Sequence, residues 1–444
     1  MKGWLAEAQK GSIRPERRDA VAESKDTDRQ IPMRTRHVLI AGLLVATTFV
    51  LPAAAADNIR IADIDAFSGP FANVGESFLA HLRMSIDGVN ARGGVLGGSK
   101  LEIVTFDGKA NPQDSLLALQ QAIDQGMRIV IQASGSAVAG ASLEAIAKHN
   151  ARYPDRAVLY INYGALDPAL TESRCNFWHF RFDEHGHMKM EVFTSALAAR
   201  KDVKKVYLIN QDYAWGQSVS RDAREMLARK RPDIEIVGDD LHPLGKVKDF
   251  APYVAKIKAS GAEAVVTGNW GNDLSLLVKA GKDAGLRADY YSVFAYMQGT
   301  PTAMGEAGVD RVRTLVAWHA NVQPNPMENY ANEFKARYKQ DWYWLPARFA
   351  VEMLARAIDQ AGSADPLKVA RALEGMKYAS PTGEVWMRAE DHQLIHPLYL
   401  ATFAQAGRSG VKYDAENTGF GWKTEARIEA KDTVLPTACK MERP

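Results

Sequence analysis

The chain has 444 residues, too many for one compact core, so two or three domains are expected. Hydrophobic residues make up 46% and charged residues 24%, which excludes wholesale disorder, collagen and coiled coil. A net charge of +2, from 55 basic and 53 acidic residues, argues against a nucleic-acid binder, and two cysteines exclude a disulfide-dense scaffold or a four-cysteine zinc site.

Residues 1–32 are polar and carry no sustained period. Met33-Arg34-Thr35-Arg36-His37 is then a basic lead into the apolar run Val38–Leu51, followed by small residues at 53–56. This is the order of a secretory signal over residues 33–56, with cleavage expected before Asp57. The run is shorter than the roughly 20 residues a bilayer span requires. Met33 is read as the true start and residues 1–32 as a misassigned lead. No later run approaches membrane length, so a soluble, periplasmic protein is expected. Export places Cys175 and Cys439 in an oxidising compartment, where one bridge between them is expected. A catalytic thiol, with His179 nearby, is the rival reading, but no nucleophile motif surrounds Cys175.

Beyond Asp57 the pattern alternates. Residues 59–66 read as a strand and 76–91 as a helix, with Phe78, Leu82, Ile86 and Val89 at helical spacing. Gly93-Gly94 ends that helix. Residues 100–106 are strand-like, and Asn111-Pro112 opens a helix. A short strand at 128–131, a helix at 136–148 and a strand at 157–161 follow. After a break near 167–185 come strands at 203–209, 234–241 and 264–268, with helices at 218–229, 250–260 and 273–284 between and after them. Residues 329–339 and 347–361 look helical. Residues after 380 read as turn-rich with short β-like pieces. Two runs of this kind predict an α/β protein with two parallel-sheet lobes and helices on both faces.

In open α/β sheets, ligands bind at the carboxyl ends of the strands. The loop 132–137, with Ser134 and Ser136, fits an anion or carboxylate site at a helix start, or a plain serine cap. The loop Asn162–Pro168 lets a ligand approach the backbone, or simply starts a helix. Trp215, Trp270 and Phe294 each follow a strand of the second run, which favours ligand contact over mere core packing. Enzyme signatures fail: there is no phosphate loop, no G-x-S-x-G, no H-E-x-x-H and no dinucleotide fingerprint, so neither catalysis nor a cofactor is expected. Asp183, Glu184, His185 and His187 cluster, and His392 and His396 are spaced by four. Both groups are read as solvated surface, with no metal expected.

Several segments together resemble one family. Residues 66–75 (AFSGPFANVG) resemble the S-G-P-x-A-x-x-G segment of type I periplasmic solute-binding proteins, of the leucine/isoleucine/valine-binding family of ABC importers. Residues 89–97 (VNARGGVLG) resemble the family's I-N-A-x-G-G-I-x-G turn. Asp107, Ser134–Ser136, the run Asp167–Thr171, Tyr213–Gly216 and Ala284–Leu286 are similar in turn. The resemblance spans residues 57–400 in order. It implies two Rossmann-like lobes joined by three crossovers and closing on a ligand. Lobe one would take 57–181 and 319–381, lobe two 182–318 and 382–405, with 406–444 a tail that the disulfide fastens to lobe one.

The resemblance also implies a site. Ser136 and the backbone of Gly164, Ala165 and Leu166 would hold a ligand carboxylate, with Leu166 standing where a threonine is usual. Trp270 keeps the family's aromatic on the hinge side. Phe294 stands where an acid pairs the ligand ammonium, and Val74 where the first loop carries an aromatic. The expected ligand is therefore an aromatic or apolar carboxylate, or a hydrophobic amino acid, with Asp212 and Asp273 as substitute acids. The expected partners are the permease and ATPase subunits of an importer, for a monomeric receptor. A ligand sensor of the same fold is the alternative.

Overall fold

A computed structural model describes residues 57–408 and 410–444; the lead and signal segments lie outside the described residues. The first run of strands is β1 (Ile59–Asp65), β2 (Leu101–Asp107), β3 (Ile129–Gln132), β4 (Leu159–Asn162) and β5 (His179–Arg181). Helices α1 (Ala72–Ala91), α2 (Pro112–Asp124) and α3 (Ser136–Arg152) connect the first four. The strands form a parallel sheet, sheet I, in the order β2-β1-β3-β4-β5. Local chemistry sets the boundaries. The Asn111 side chain accepts from the amides of Gln113 and Asp114 at 2.8 and 3.2 Å while Pro112 supplies the fixed first turn of α2.

The second run begins with α4 (Gly186–Ala199), β6 (Lys205–Gln211), α5 (Ala214–Lys230), β7 (Glu235–His242), α6 (Ala251–Ala259) and β8 (Ala264–Thr267). It continues through α7 (Gly271–Asp283), β9 (Asp289–Ser292), α8 (Thr300–Met304) and β10 (Val312–Val316). The chain then forms α9 (Glu328–Tyr338), α10 (Leu345–Ala361) and α11 (Pro366–Leu373). Last come the small antiparallel sheet of β11 (Lys377–Ser380), β12 (Gly383–Met387) and β13 (Leu394–Ile395), and the strands β14 (Leu398–Gln405) and β15 (Phe420–Ile428). Sheet II has the order β15-β14-β10-β9-β8-β6-β7, with β14 and β15 antiparallel.

Read from its far edge, sheet II repeats the strand order of sheet I, and each sheet has a switch point where neighbouring loops diverge to open a crevice. Before β15 the chain passes between the two bodies three times: from β5 to α4, from β10 to the helices that pack on α1, and from β13 to β14. Arg92, at the end of α1, pairs with Glu352 of α10 at 2.7 Å and fixes the returning helices to the sheet I body. The α/β class and the two-lobe architecture expected from the alternation are present.

Two segments differ from the sequence reading. Helix α4 follows the break at 167–185, in residues to which the sequence reading gives no element, because Lys189 and Thr194 are buried polar residues that interrupt its apolar face. Residues after 380 form longer strands than expected, and β15 brings residues 420–428 into sheet II. Strand β14 is buried on both faces along nearly its whole length, so it lacks the alternation that marks a half-exposed strand. Cys175, before β5, is bonded to Cys439 with Cα atoms 5.7 Å apart, so the final segment returns to the sheet I side. Among the described residues, no helix is long and apolar enough to cross a membrane.

Candidate functional site

The strand ends of both sheets converge on one cleft, lined from the sheet I side by Phe78, Ala133–Ser136, Gly164, Leu166 and Trp344. Tyr213, Trp215, Trp270, Phe294 and Met297 face them from the sheet II side. Six of the residues singled out from sequence are therefore together: Ser136, Gly164, Leu166, Trp215, Trp270 and Phe294. Ala165 points away and packs into the sheet I core with Val158 and Leu170. Val74 is buried on α1 beside Gly271 rather than lining the cleft.

The polar end of the cleft is held by a buried carboxylate. Asp65, at the end of β1, accepts from the amides of Ala133 and Ser134, the latter at 2.6 Å, and from the Tyr163 hydroxyl at 2.9 Å. These bonds fix the loop after β3, where Gly135 adopts φ +91° and Ser136 starts α3. Burial, and then the neighbouring charge of Asp65, push Asp63 well above the usual carboxylate range, and burial raises Asp65 as well, against the hydrogen bonds that it accepts. The Ser136 hydroxyl oxygen accepts from the Asp167 amide at 3.1 Å, which leaves its hydrogen available. The Ser134 hydroxyl is buried and makes no well-aligned hydrogen bond among the described residues.

The neighbouring loop is shaped by Asn162, whose side-chain oxygen accepts from the amides of Gly164 and Ala165 at 3.1 and 2.8 Å. Buried Arg181 holds the far end of the loop by donating to the Asp167 carbonyl at 2.7 Å. A Cβ on Gly164 would fall 2.7 Å from that of Ala133 and 3.2 Å from the Trp344 ring, so only glycine permits this approach.

The opposite wall is aromatic and its polar tips are already engaged. Trp215 donates to the Gly268 carbonyl at 2.8 Å, and Trp270 donates to the Tyr213 hydroxyl at 2.8 Å. Trp344 donates to the Tyr163 carbonyl at 3.0 Å and lies nearly parallel to Phe294, with ring centroids 6.3 Å apart. Neither substitute acid lines the cleft. Asp273 accepts from Gln211 and from the Gly245 amide at 2.9 and 2.8 Å, and Asp212 accepts from Gln217 at 2.9 Å.

The sequence does not point to Phe78, Met297 or Trp344 as site residues, and it points to Ser134 and Tyr213 only as members of candidate loops. The position of those two after a strand is the signal. Trp344 follows no strand and carries no such signal.

The acid and histidine clusters read as solvated surface are buried instead. Asp183, Glu184, His185, His392 and His396 are each about 1% exposed or less. They lie where the chain crosses between the bodies, and buried partners satisfy much of their charge. Glu184 pairs with Lys189, and His396 Nε2 lies 3.1 Å from the second Glu184 oxygen.

A cleft at opposed strand ends of two such sheets has relatives. Residues 58–408 match the family model described as periplasmic binding protein. The chain is 32% identical over 426 residues to Leu/Ile/Val-binding protein homolog 4 of Brucella abortus, covering 93% of this chain and 100% of that one. The chain belongs to the periplasmic binding protein family, in its leucine/isoleucine/valine-binding branch. The solved leucine-, isoleucine-, valine-, threonine- and alanine-binding protein of Brucella ovis, in its closed conformation, aligns with a TM-score of 0.77 at 28% identity. That alignment covers 88% of this chain and 100% of the other. The fold is also that of a solute-binding protein from R. palustris solved with benzoate, with a TM-score of 0.73 at 18% identity over 86% and 99% of the two chains. The expectation of an ABC-importer solute-binding protein stands on these matches. The family is one of binding proteins rather than enzymes.

Proposed function

We propose that this periplasmic binding protein captures a small carboxylate with an aromatic or apolar body. One observation carries the reading: the cleft sets serine hydroxyls and helix-start amides against aromatic rings, with no acidic side chain among its described lining residues. The donors around Ser134 and Ser136 suit a carboxylate at the start of α3. Trp215, Trp270, Phe294 and Trp344 suit a flat or greasy body. An amino acid would bring an ammonium with no carboxylate to meet it, and burying an unpaired charge is costly. The same fold accommodates benzoate in the R. palustris protein.

On this reading the sheet I body, 57–181 with 319–381, and the sheet II body, 182–318 with 382–405, are lobes hinged at the crossovers. Closure presents a surface to a membrane permease and its ATPase. The protein acts as an exported monomer and turns nothing over. Calorimetry with benzoate, phenylacetate and leucine tests the ligand class. The acids should bind at least tenfold tighter than leucine, and tighter binding of leucine would reject the proposal. Ser136→Ala should weaken acid binding by about 1–3 kcal/mol, the worth of a buried hydrogen bond to a charge. Unchanged affinity would remove Ser136 from the site.

A further inference from the structure

Beside the cleft, three side chains that the binding reading does not use converge. Glu172 follows the short turn at residues 168–171, His185 caps α4, and His187 sits in the first turn of that helix. One potential ligand atom from each lies within 4.8 Å of the other two. His187 Nδ1 is 2.9 Å from Glu172 Oε1. On the far side of the ring, His187 Nε2 is 3.2 Å from Asp222 Oδ2 of α5. Asp222 is 1% exposed and this oxygen has no well-aligned hydrogen-bond donor.

A plain ion pair accounts for only part of this arrangement. A protonated His187 would donate one N–H to each of its two flanking carboxylates, but that leaves a second imidazole beside them unexplained. His185 adds a second imidazole, 1% exposed, whose ring lies 5.7 Å from that of His187. Its Nδ1 accepts from the Met188 amide at a long 3.4 Å. Two imidazoles and a carboxylate at this separation are a donor set for a borderline metal ion, and nitrogen donors disfavour magnesium and calcium.

We propose that Glu172, His185 and His187 bind a first-row divalent transition metal, zinc in the first instance. The metal takes the Nδ1 side of His187, and Asp222 accepts from the opposite Nε2–H, which fixes the ring as an outer carboxylate does in metal centres. Three protein ligands leave one position open. The site abuts the cleft wall: the Gly186 amide, between the two histidines, donates to the Leu166 carbonyl at 2.8 Å. A Cβ on Gly186 would fall 2.5 Å from the Trp215 ring. A bound ion would therefore join the sheet I body, through Glu172, to the first helix of the sheet II body. This proposal is independent of which solute the cleft takes.

The test uses the mature protein, stripped with EDTA and carrying no histidine tag. Zinc is titrated by calorimetry and cobalt by visible absorption. One ion per chain is expected, with cobalt bands lacking sulfur charge transfer, since both cysteines are bridged. His187→Ala should weaken zinc at least a hundredfold and Glu172→Gln at least tenfold. Glu172 lies in a surface turn, so its variant keeps the test valid if His187→Ala fails to fold. Zinc should raise the melting temperature of the parent protein more than that of Glu172→Gln. His149→Ala, on α3 away from the cluster, should leave zinc binding unchanged. Absence of stoichiometric zinc binding, or equal binding by the parent and Glu172→Gln, overturns the proposal.

Discussion

Trp344 joins the two walls of the cleft. Its ring lies 4.7 Å from Phe78 of α1 and 5.9 Å from Tyr296 beyond β9, and its N–H holds the Tyr163 carbonyl. Removing it takes away one wall of the cleft and also an anchor of the loop that ends at Gly164. Trp344→Ala should weaken benzoate at least tenfold and cost about 3–5 kcal/mol of stability, as large-to-small changes of buried aromatics do. Trp344→Phe should keep most of the stability and lose part of the affinity. Calorimetry and urea unfolding on the two variants separate these effects, and unchanged benzoate affinity in Trp344→Ala would remove the ring from the site. Its role is hard to read from sequence, because Trp344 reaches the cleft from the helices that return after the second crossover. Ser136, Trp215 and Trp270 are legible because each follows a strand directly. Val74 is the converse case. It belongs to the right segment, yet its side chain faces the core, and a one-residue difference in direction is not encoded in motif spacing.

At the scale of elements, α1 is locked to the loop before α10 by a neutral histidine. His81 Nδ1 donates to the Ser77 carbonyl at 2.7 Å, and Nε2 accepts from the Tyr343 amide at 3.1 Å. Burial lowers its pKa to about 3. Burial likewise lowers His319, in the second crossover, to about 3. The unfolded chain titrates near 6.5, so between these values it binds more protons than the folded chain. The stability that these two histidines contribute is therefore complete above pH 6.5 and falls as the pH drops toward 3, by about 1.4 kcal/mol per pH unit for each. Urea midpoints at pH 7.5, 6 and 5 should decline accordingly, and His81→Gln should show a shallower decline than the parent. An identical pH slope in that variant would show that His81 does not contribute. The helix itself is legible from the spacing of Phe78, Leu82, Ile86 and Val89. Its polar lock is not, since His81 and Tyr343 are far apart in sequence. The same limit hides β14, whose two buried faces erase the alternation by which a strand is recognised.

At the scale of the whole molecule, the final segment adds a covalent tie between the sheet II body and the sheet I body. The chain leaves β15 in sheet II, and the Leu435 carbonyl accepts from Arg388 at 2.6 Å. Cys439 then bonds Cys175 ahead of β5 in sheet I, across 264 residues of sequence. Arg443 continues the attachment by pairing with Glu374 at 2.6 Å. A bridge that closes so long a loop restricts the unfolded chain strongly, which is worth about 2–4 kcal/mol in proteins generally. The Cys175→Ser, Cys439→Ser double variant should lose stability of that order in urea unfolding at pH 7.5. It should also expose residues 429–444 to proteolysis at a rate the parent does not show. None of these tail residues lines the cleft, so benzoate affinity should change less than about twofold. A large loss of affinity would mean that the tail restrains the hinge, and an unchanged urea midpoint would mean that the ion pairs alone hold the segment in place.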